Sequence, residues 1–550
     1  MTASASAVSG SAGPAGQGRL AVPAAAPQTA PAPAAPPVIA PLEGAARLWG
    51  TFALSAATFM NILDSSIANV SLPAIAGDLG VSPNQGTWVI TSFGVANAIA
   101  LPLTGWLTQR FGAVRLFALS ILLFVLTSWM CGLAPNMTTL IVFRALQGFV
   151  AGPMIPLSQA LLLSSYPRAL AGLAMALWAM TTLVAPVVGP LLGGWITEHI
   201  SWSWIFYINI PIGLGAAFMV WTIYRKRETP TRKLPIDSVG LGLLVVWIGA
   251  LQIMLDKGKE LDWFHSGEVV GLGVVALVGF AFFLVWELTD EHPVVDLRLF
   301  KRRNFWTGTV ATAIGYGLFF GNVVLLPLWL QQFMGYTSIK AAMLLAPVGL
   351  LAMVLAPVVG KNIHRLDPRK LASFAFVIFA VVLLMRAHFN TLVDFNTMMI
   401  PTLIQGAAMA FFFIPLSTIT LAGIPPEKIP AASGLTNFAR ITAGSFGTSI
   451  ATTVWQDRAA VHHAQLAEAI NTGSSATNSI LSSFAGAGLS PDQSLAQINR
   501  LVDQQAFMLA ANDVFFASAM IFLLLIPVVW MSKPIRGGVA GAADAAAGAH

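Results

Sequence analysis

Fourteen apolar runs of spanning length recur along this chain, at about 48–72, 88–107, 116–133, 139–163, 172–196, 204–221, 239–255, 269–288, 305–330, 341–360, 371–389, 398–422, 431–455 and 514–531. A helix needs roughly 20 apolar residues to cross a bilayer. Only helices and closed barrels satisfy their backbone polar groups in hydrocarbon. Runs of this length therefore predict an all-α polytopic membrane protein. Composition agrees: 56% of residues are hydrophobic and 9% charged, against about 25% charged in a soluble domain. The net charge of +6 does not point to nucleic acid, because the basic residues are scattered over short connections. The single cysteine, Cys131, excludes an intramolecular disulfide.

With the N-terminus placed in the cytoplasm, the inside segments hold 21 of the 29 Lys and Arg residues and the outside segments 5. The positive-inside bias sets that orientation, and an even number of spans returns the C-terminus to the same side. Residues 1–46 and 534–550 read as Ala-, Pro-, Ser- and Gly-rich tails, the first disordered and the second flexible. Residues 456–512 read as one long water-facing loop on the outside.

An internal repeat sets the architecture. Gly105-Trp106-Leu107-Thr108-Gln109-Arg110 returns as Gly360-Lys361-Asn362-Ile363-His364-Arg365. Gln147-Gly148 followed by Ile155-Pro156-Leu157-Ser158 returns as Gln405-Gly406 followed by Ile414-Pro415-Leu416-Ser417, and Gly189-Pro190-Leu191-Leu192-Gly193-Gly194 has a weaker echo in Gly444-Ser445-Phe446-Gly447-Thr448-Ser449. The offsets lie between 255 and 259. Two six-helix halves, 47–225 and 304–533, thus flank an inserted helix pair at 235–290. Repeated halves around a central site are a build of secondary transporters.

Within this apolar chain the intramembrane charges carry the chemistry. Asp64 lies nine residues before Pro73, roughly 13 Å from the outer helix end. Arg144 lies eight residues past Asn136, roughly 12 Å deep on the same count. A charge at such depth costs roughly 3 kcal/mol on insertion scales, so it marks a site. Burial disfavours a charged carboxylate and a neighbouring guanidinium favours it. That tension suits proton exchange at an Asp64–Arg144 pair, with Gln147 bonding Asp64 or lining the cavity. The alternative is that Asp64 only caps an interruption in its helix.

The second half has Thr402 at the Arg144 position, so charge coupling is expected in the first half alone. Arg440, near the midplane, is a candidate contact for an anionic ligand. Arg386, at an outer helix end, is expected to snorkel to water. Glu287 and Asp290 are expected to be solvated. Asn61, Phe59, Trp88, Trp178, Tyr316, Phe319 and Phe412 are candidate lining of an adaptable cavity. Gly105, Arg110, Arg115, Gly189, Pro190, Gly193, Gly194, Gly360 and Arg365 are candidates for conformational motifs. His462 and His463 lack the spacing of a metal site. No Gly-x-x-x-x-Gly-Lys loop is present, so nucleotide drive is not expected.

The run Leu63-Asp64-Ser65-Ser66-Ile67-Ala68-Asn69-Val70, Arg144-x-x-Gln147-Gly148 and Gly189-Pro190-x-x-Gly193-Gly194 resemble the major facilitator superfamily, in its fourteen-helix drug:proton antiporter branch. Gln85-Gly86-Thr87-Trp88 and Leu255-Asp256-Lys257-Gly258 are similar to the multidrug export proteins of Gram-negative bacteria. Gln109 stands where many members have Asp, and the long N-terminal tail is also unlike the family. The resemblance implies export of hydrophobic drugs and uncouplers across the bacterial inner membrane by alternating access. It implies the proton gradient as energy source, with no cofactor. It also implies a periplasmic membrane-fusion adaptor and an outer-membrane channel as partners. Two other readings stay open: a proton-coupled transporter of one polar nutrient, and a polytopic membrane enzyme, for which no catalytic cluster is evident.

Overall fold

The computed structural model describes residues 40–534, apart from 168–169, 233–234, 236, 259, 364, 469 and 472–473, and residues 7 and 10. The tails expected at 1–46 and 534–550 lie almost wholly outside the described residues, as do Arg168, Lys233, Lys259, His364 and Arg536. The described chain is helical throughout, with no strand.

The first half contains α1 (Gly44–Asp78), the short α2 (Pro83–Gly86), α3 (Trp88–Phe111) and α4 (Ala113–Gly132). It continues with α5 (Met137–Ala151), α6 (Met154–Ser165), α7 (Ala171–His199), the short α8 (Trp204–Tyr207) and α9 (Asn209–Tyr224). The inserted pair is α10 (Ser238–Lys257) and α11 (Gly267–Thr289). The second half contains α12 (Arg303–Phe333), α13 (Ser338–Asn362), α14 (Pro368–Arg386), α15 (Phe395–Leu421), α16 (Ile429–Glu468), α17 (Ser475–Gly486) and α18 (Pro491–Trp530).

Among the described residues twelve helices, with α5 joined to α6 and α8 to α9, are long and apolar enough to span a membrane. Helices α1 and α16 also have the length, 35 and 40 residues. They are less apolar than the other twelve, α1 because of the polar stretch around Asp64 and α16 because of its Ser, Thr, Gly and Asn residues and Arg440. Counting them gives the fourteen spans. The fourth span breaks at Gly152-Pro153, where α5 gives way to α6. Pro153 has no N–H to donate, so the ladder is interrupted there.

The repeat is visible in the caps. The Asn136 side chain accepts from Thr139 N at the start of α5. Asp394, 258 positions later, accepts from Asn396 N and Thr397 N at the start of α15. Each satisfies donors that the first turn of a helix leaves open.

The segment 456–512 differs from the loop expected. It is mostly helix: α16 runs on to Glu468, α17 follows, and α18 starts at Pro491. Arg458 Nε and His462 Nε2 both meet Asp513 Oδ2, at 2.7 and 2.8 Å. His463 Nε2 lies 3.1 Å from Asn499 Oδ1. These polar ties hold the extension of α16 against α18.

Candidate functional site

Five helices of the first half converge on Asp64. Its side chain is almost wholly removed from solvent, as is that of Arg144 (1% exposed each). Arg144 Nη1 donates to Asp64 Oδ2 at 2.5 Å and to Gln147 Oε1 at 2.7 Å. Its Nε donates to the Val89 carbonyl at 3.0 Å. Gln147 Nε2 donates to Asp64 Oδ1 at 3.1 Å. Arg144 and Gln147 are three residues apart, so α5 presents both on one face. The guanidinium lies 4.3 Å from the Phe93 ring centroid and 5.5 Å from that of Phe206. Rings so placed attract a cation and exclude water. The depth count from sequence thus brings Asp64, Arg144 and Gln147 together.

Sequence reasoning missed a third donor to the carboxylate. Asn209 Nδ2 bonds Asp64 Oδ1 at 2.8 Å and Ser128 Oγ at 3.0 Å. Ser128 Oγ in turn donates to the Phe206 carbonyl at 2.9 Å, where the sixth span turns. An amide isolated in the apolar run Tyr207-Ile208-Asn209-Ile210 was the available signal. Cys131 Sγ also contacts Gln147 Oε1, at 3.5 Å. One carboxylate therefore accepts three hydrogen bonds, one of them from a cation, in a site closed to water.

Asn61 sits one turn away and does not touch this cluster. Its Nδ2 donates to the Ala151 carbonyl at 3.1 Å, at the α5–α6 break.

The Gly189-Pro190-x-x-Gly193-Gly194 motif on α7 sits beside the same stretch of α1. A Cβ at Gly189 would stand 2.5 Å from Ser66 Oγ, and one at Gly193 would stand 3.1 Å from the Ile67 carbonyl. The two helices meet two and three residues beyond Asp64. Pro190 has no N–H, so the Pro186 carbonyl lacks its helical donor. Ser66 Oγ donates to that oxygen at 3.2 Å. Gly194 has open space where a Cβ would be, so close helix approach accounts for Gly189 and Gly193 only.

Gly105 and Gly360 lie where the halves meet. A Cβ at Gly105 would stand 2.5 Å from the Ala431 Cβ on α16. One at Gly360 would stand 2.4 Å from the Gly172 carbonyl on α7. Arg110 lies 5.4 Å from the Trp106 ring. Arg115 is exposed and reaches Glu228 at 3.9 Å. Glu228 also accepts from Val114 N and Arg115 N, at the start of α4. A carboxylate at a helix N-terminus is favourable, and here it comes from beyond α9 rather than from position 109. Arg365 is exposed.

Arg440 is buried in an aromatic cage contributed by both halves. Its guanidinium lies 5.0 Å from the Tyr316 ring, 5.6 Å from Phe413 and 5.7 Å from Trp178. Trp178 donates to Ser158 Oγ at 3.2 Å. Phe319 is partly buried and packs toward Tyr316 and Phe379.

Four expectations need correction. Phe412 is not cavity lining. It is 1% exposed, packed against Phe376, Phe379 and Phe413 in the core of the second half. Trp88 faces the inserted pair, with Lys257 Nζ 5.6 Å from its ring. Glu287 is not solvated: it is 1% exposed and accepts from Val295 N at 3.1 Å. Arg386 does not snorkel. It is fully buried, and its Nη2 donates to Thr402 Oγ1 at 3.1 Å and Gln405 Oε1 at 2.7 Å.

Comparison with known proteins agrees with this architecture. Residues 54–448 match the family model described as Major Facilitator Superfamily. The chain is 51% identical over 506 residues to the multidrug export protein EmrB of Escherichia coli K12, covering 92% of this chain and 99% of that one. It is 50% identical over 498 residues to the EmrB protein of Haemophilus influenzae, covering 90% and 98%. It is 49% identical over 494 residues to the fatty acid resistance protein FarB of Neisseria gonorrhoeae, covering 90% and 97%. Among solved structures, the human organic anion transporter MFSD10 has the same fold. Its TM-score is 0.59 at 12% identity, covering 88% of this chain and all of that one.

Proposed function

This chain belongs to the major facilitator superfamily, and from that premise we infer that it is a multidrug efflux transporter in a cell membrane, not an enzyme. Near-full-length identity of about half to multidrug export proteins supports the reading. We propose further that export is coupled to inward proton flow, with Asp64 as the exchanging group and the proton gradient as energy source.

One observation carries the coupling: a buried carboxylate bonded by Arg144, Gln147 and Asn209. Protonation removes the charge that Arg144 balances. Arg144 keeps the Val89 carbonyl, Gln147 Oε1 and the Phe93 face when it lets go. The pair therefore has two arrangements, and a proton selects between them. Asp64 adjoins the α1–α7 contact at Ser66 and Ile67. A change at Asp64 thereby reaches the helix that spans the seam between the halves.

The Arg440 cage supports a binding region for large apolar compounds. Trp178, Tyr316 and Phe413 offer flat surfaces, and Arg440 offers a positive charge to an acidic group.

The test is transport by everted membrane vesicles under an imposed pH gradient. Uptake of a fluorescent hydrophobic drug into wild-type vesicles, released when the gradient collapses and absent with Asp64→Asn, is expected. Full uptake by Asp64→Asn contradicts the role of Asp64. Movement of a polar nutrient in the opposite direction supports single-substrate uptake instead.

Orientation and partners belong to the same proposal. Both termini are placed in the cytoplasm of a bacterial inner membrane, on the distribution of Lys and Arg. The helical extension formed by the end of α16, α17 and the start of α18 then projects outward. It is the surface proposed to dock a periplasmic adaptor that leads to an outer-membrane channel. Unchanged adaptor cross-linking after deletion of α17 and its flanking connections contradicts this placement.

A further inference from the structure

A groove lies where the inserted pair meets both halves, with a volume of about 500 Å³. Pro102 comes to it from α3 in the first half, Phe438 and Ala439 from α16 in the second, and Leu244 and Phe280 from α10 and α11. The connection before α12 adds Phe300 and Lys301. Apart from Lys301 the lining is hydrophobic. Phe280, Leu284, Leu288 and Phe300 on its walls are each more than a third exposed. The groove therefore opens on the apolar outer surface of the bundle, which faces hydrocarbon. An apolar cavity does not hold water, and a volume of this order suits an organic ligand.

Depth and charge say what kind of ligand. Phe280 stands eight residues before Leu288 on α11, about 12 Å along the helix. Phe438 stands nine residues past Ile429, where α16 begins, about 14 Å on the same rise. Half of the hydrocarbon core is about 15 Å thick. The groove thus has the depth of one leaflet, with Lys301 at its end near the membrane surface. The Lys301 ammonium has no hydrogen bond or ion pair among the described residues. Asp296, the nearest acid before it in the chain, is held by Lys428 Nζ at 2.7 Å. A smaller polar cleft, about 300 Å³, shares Pro102 and Leu435 with the groove. There Arg232, Arg298 and Lys428 outnumber Glu291 and Asp296. Basic side chains at the membrane surface beside an apolar slot recognise anionic headgroups.

We propose that this groove binds one anionic phospholipid, with an acyl chain along α11 and α16 and the phosphate at Lys301. A single cation at the surface end of an apolar length matches a headgroup above its chain, which a compact hydrophobic drug lacks. On the orientation inferred above, the leaflet is the cytoplasmic one. The groove touches α3 and α16, which meet at Gly105 with Ala431 and at Gly434 with the Leu101 carbonyl. A lipid bound to both helices holds the halves together there and favours the conformation described.

The experiment is native mass spectrometry of the purified, delipidated full-length protein, titrated with phosphatidylglycerol or with phosphatidylcholine of the same acyl chains. The wild type is expected to bind a first phosphatidylglycerol about fivefold or more tighter than phosphatidylcholine. Lys301→Gln is expected to weaken that first phosphatidylglycerol about fivefold, the worth of one basic residue at the surface, and to erase the preference. Ala439→Phe fills the groove and is expected to lose the tight site for both lipids. Lys301 is exposed, so Lys301→Gln serves where Ala439→Phe fails to fold. Asp64→Asn is expected to bind lipid like wild type, which separates this site from proton coupling. Equal binding of the two lipids by the wild type overturns the proposal, as does an undiminished tight site in Lys301→Gln or Ala439→Phe. A hydrophobic drug bound in place of lipid, and lost in Ala439→Phe, also overturns it and gives the groove to the transported compounds.

Discussion

Arg144 and Asp64 hold each other in place, and the energetics of buried pairs make that testable. Removing one member leaves an unbalanced charge in a dry site, at a cost of about 3–5 kcal/mol. Arg144→Met alone is therefore expected to destabilise strongly in a denaturation assay, and the double variant with Asp64→Asn to recover most of the loss. Additive losses in that cycle would show that the two side chains do not act as a unit. Asn209 contributes a hydrogen bond to a charged group, worth about 1.5–3 kcal/mol. Asn209→Ala is expected to lower proton-driven efflux roughly ten- to hundredfold while the protein remains inserted; unchanged vesicle transport would remove Asn209 from the coupling site. The acid and base were legible in the sequence because charge at depth is rare and depth can be counted. Asn209 was not, because a lone amide at a helix end has many ordinary uses. Arg386 misled for a related reason: sequence places its Cα near the outer surface, and only the rotamer reveals that the side chain turns inward.

At the scale of elements, α7 packs on α1 beside Asp64 at one point and on Gly360 of the second half at another. Any side chain at Gly189 meets Ser66. Gly189→Ala is expected to slow transport without loss of expression, and adding Ser66→Gly to restore part of it. No rescue in the vesicle assay would mean that the glycine serves a different contact. The apolar runs placed every spanning helix, because hydrocarbon demands that length and composition. Two things escaped them. The extensions of α16 and α18 are polar helices held by Arg458, His462 and Asp513, and composition reads them as loop. Phe412 looked like cavity lining, but aromatic content does not reveal which way a helix face points.

For the whole molecule, close contacts between the halves gather at one end. Gly105 meets Ala431, Gly172 meets Gly360, and Gly434 meets the Leu101 carbonyl. That is the end with Arg110, Arg115 and Arg365, the side placed in the cytoplasm. The conformation is thus sealed there. Gly360→Val is expected to pry the seal apart, raising labelling of a cysteine introduced at the cytoplasmic end; unchanged labelling would argue against a seal at Gly360. The repeat was readable from motif spacing alone, and it correctly paired Gly105 with Gly360 at two related seams. It did not reveal that Arg386 turns inward to Thr402 and Gln405, because the matching place in the first half holds Cys131 and no cation. The account rests most heavily on exchange of a proton for drug at Asp64. The direct test is proton release on adding a hydrophobic drug to purified protein in weak buffer, wild type against Asp64→Asn. Release by the wild type and none by the variant is the predicted result. Equal release from both, or none from the wild type, would contradict it.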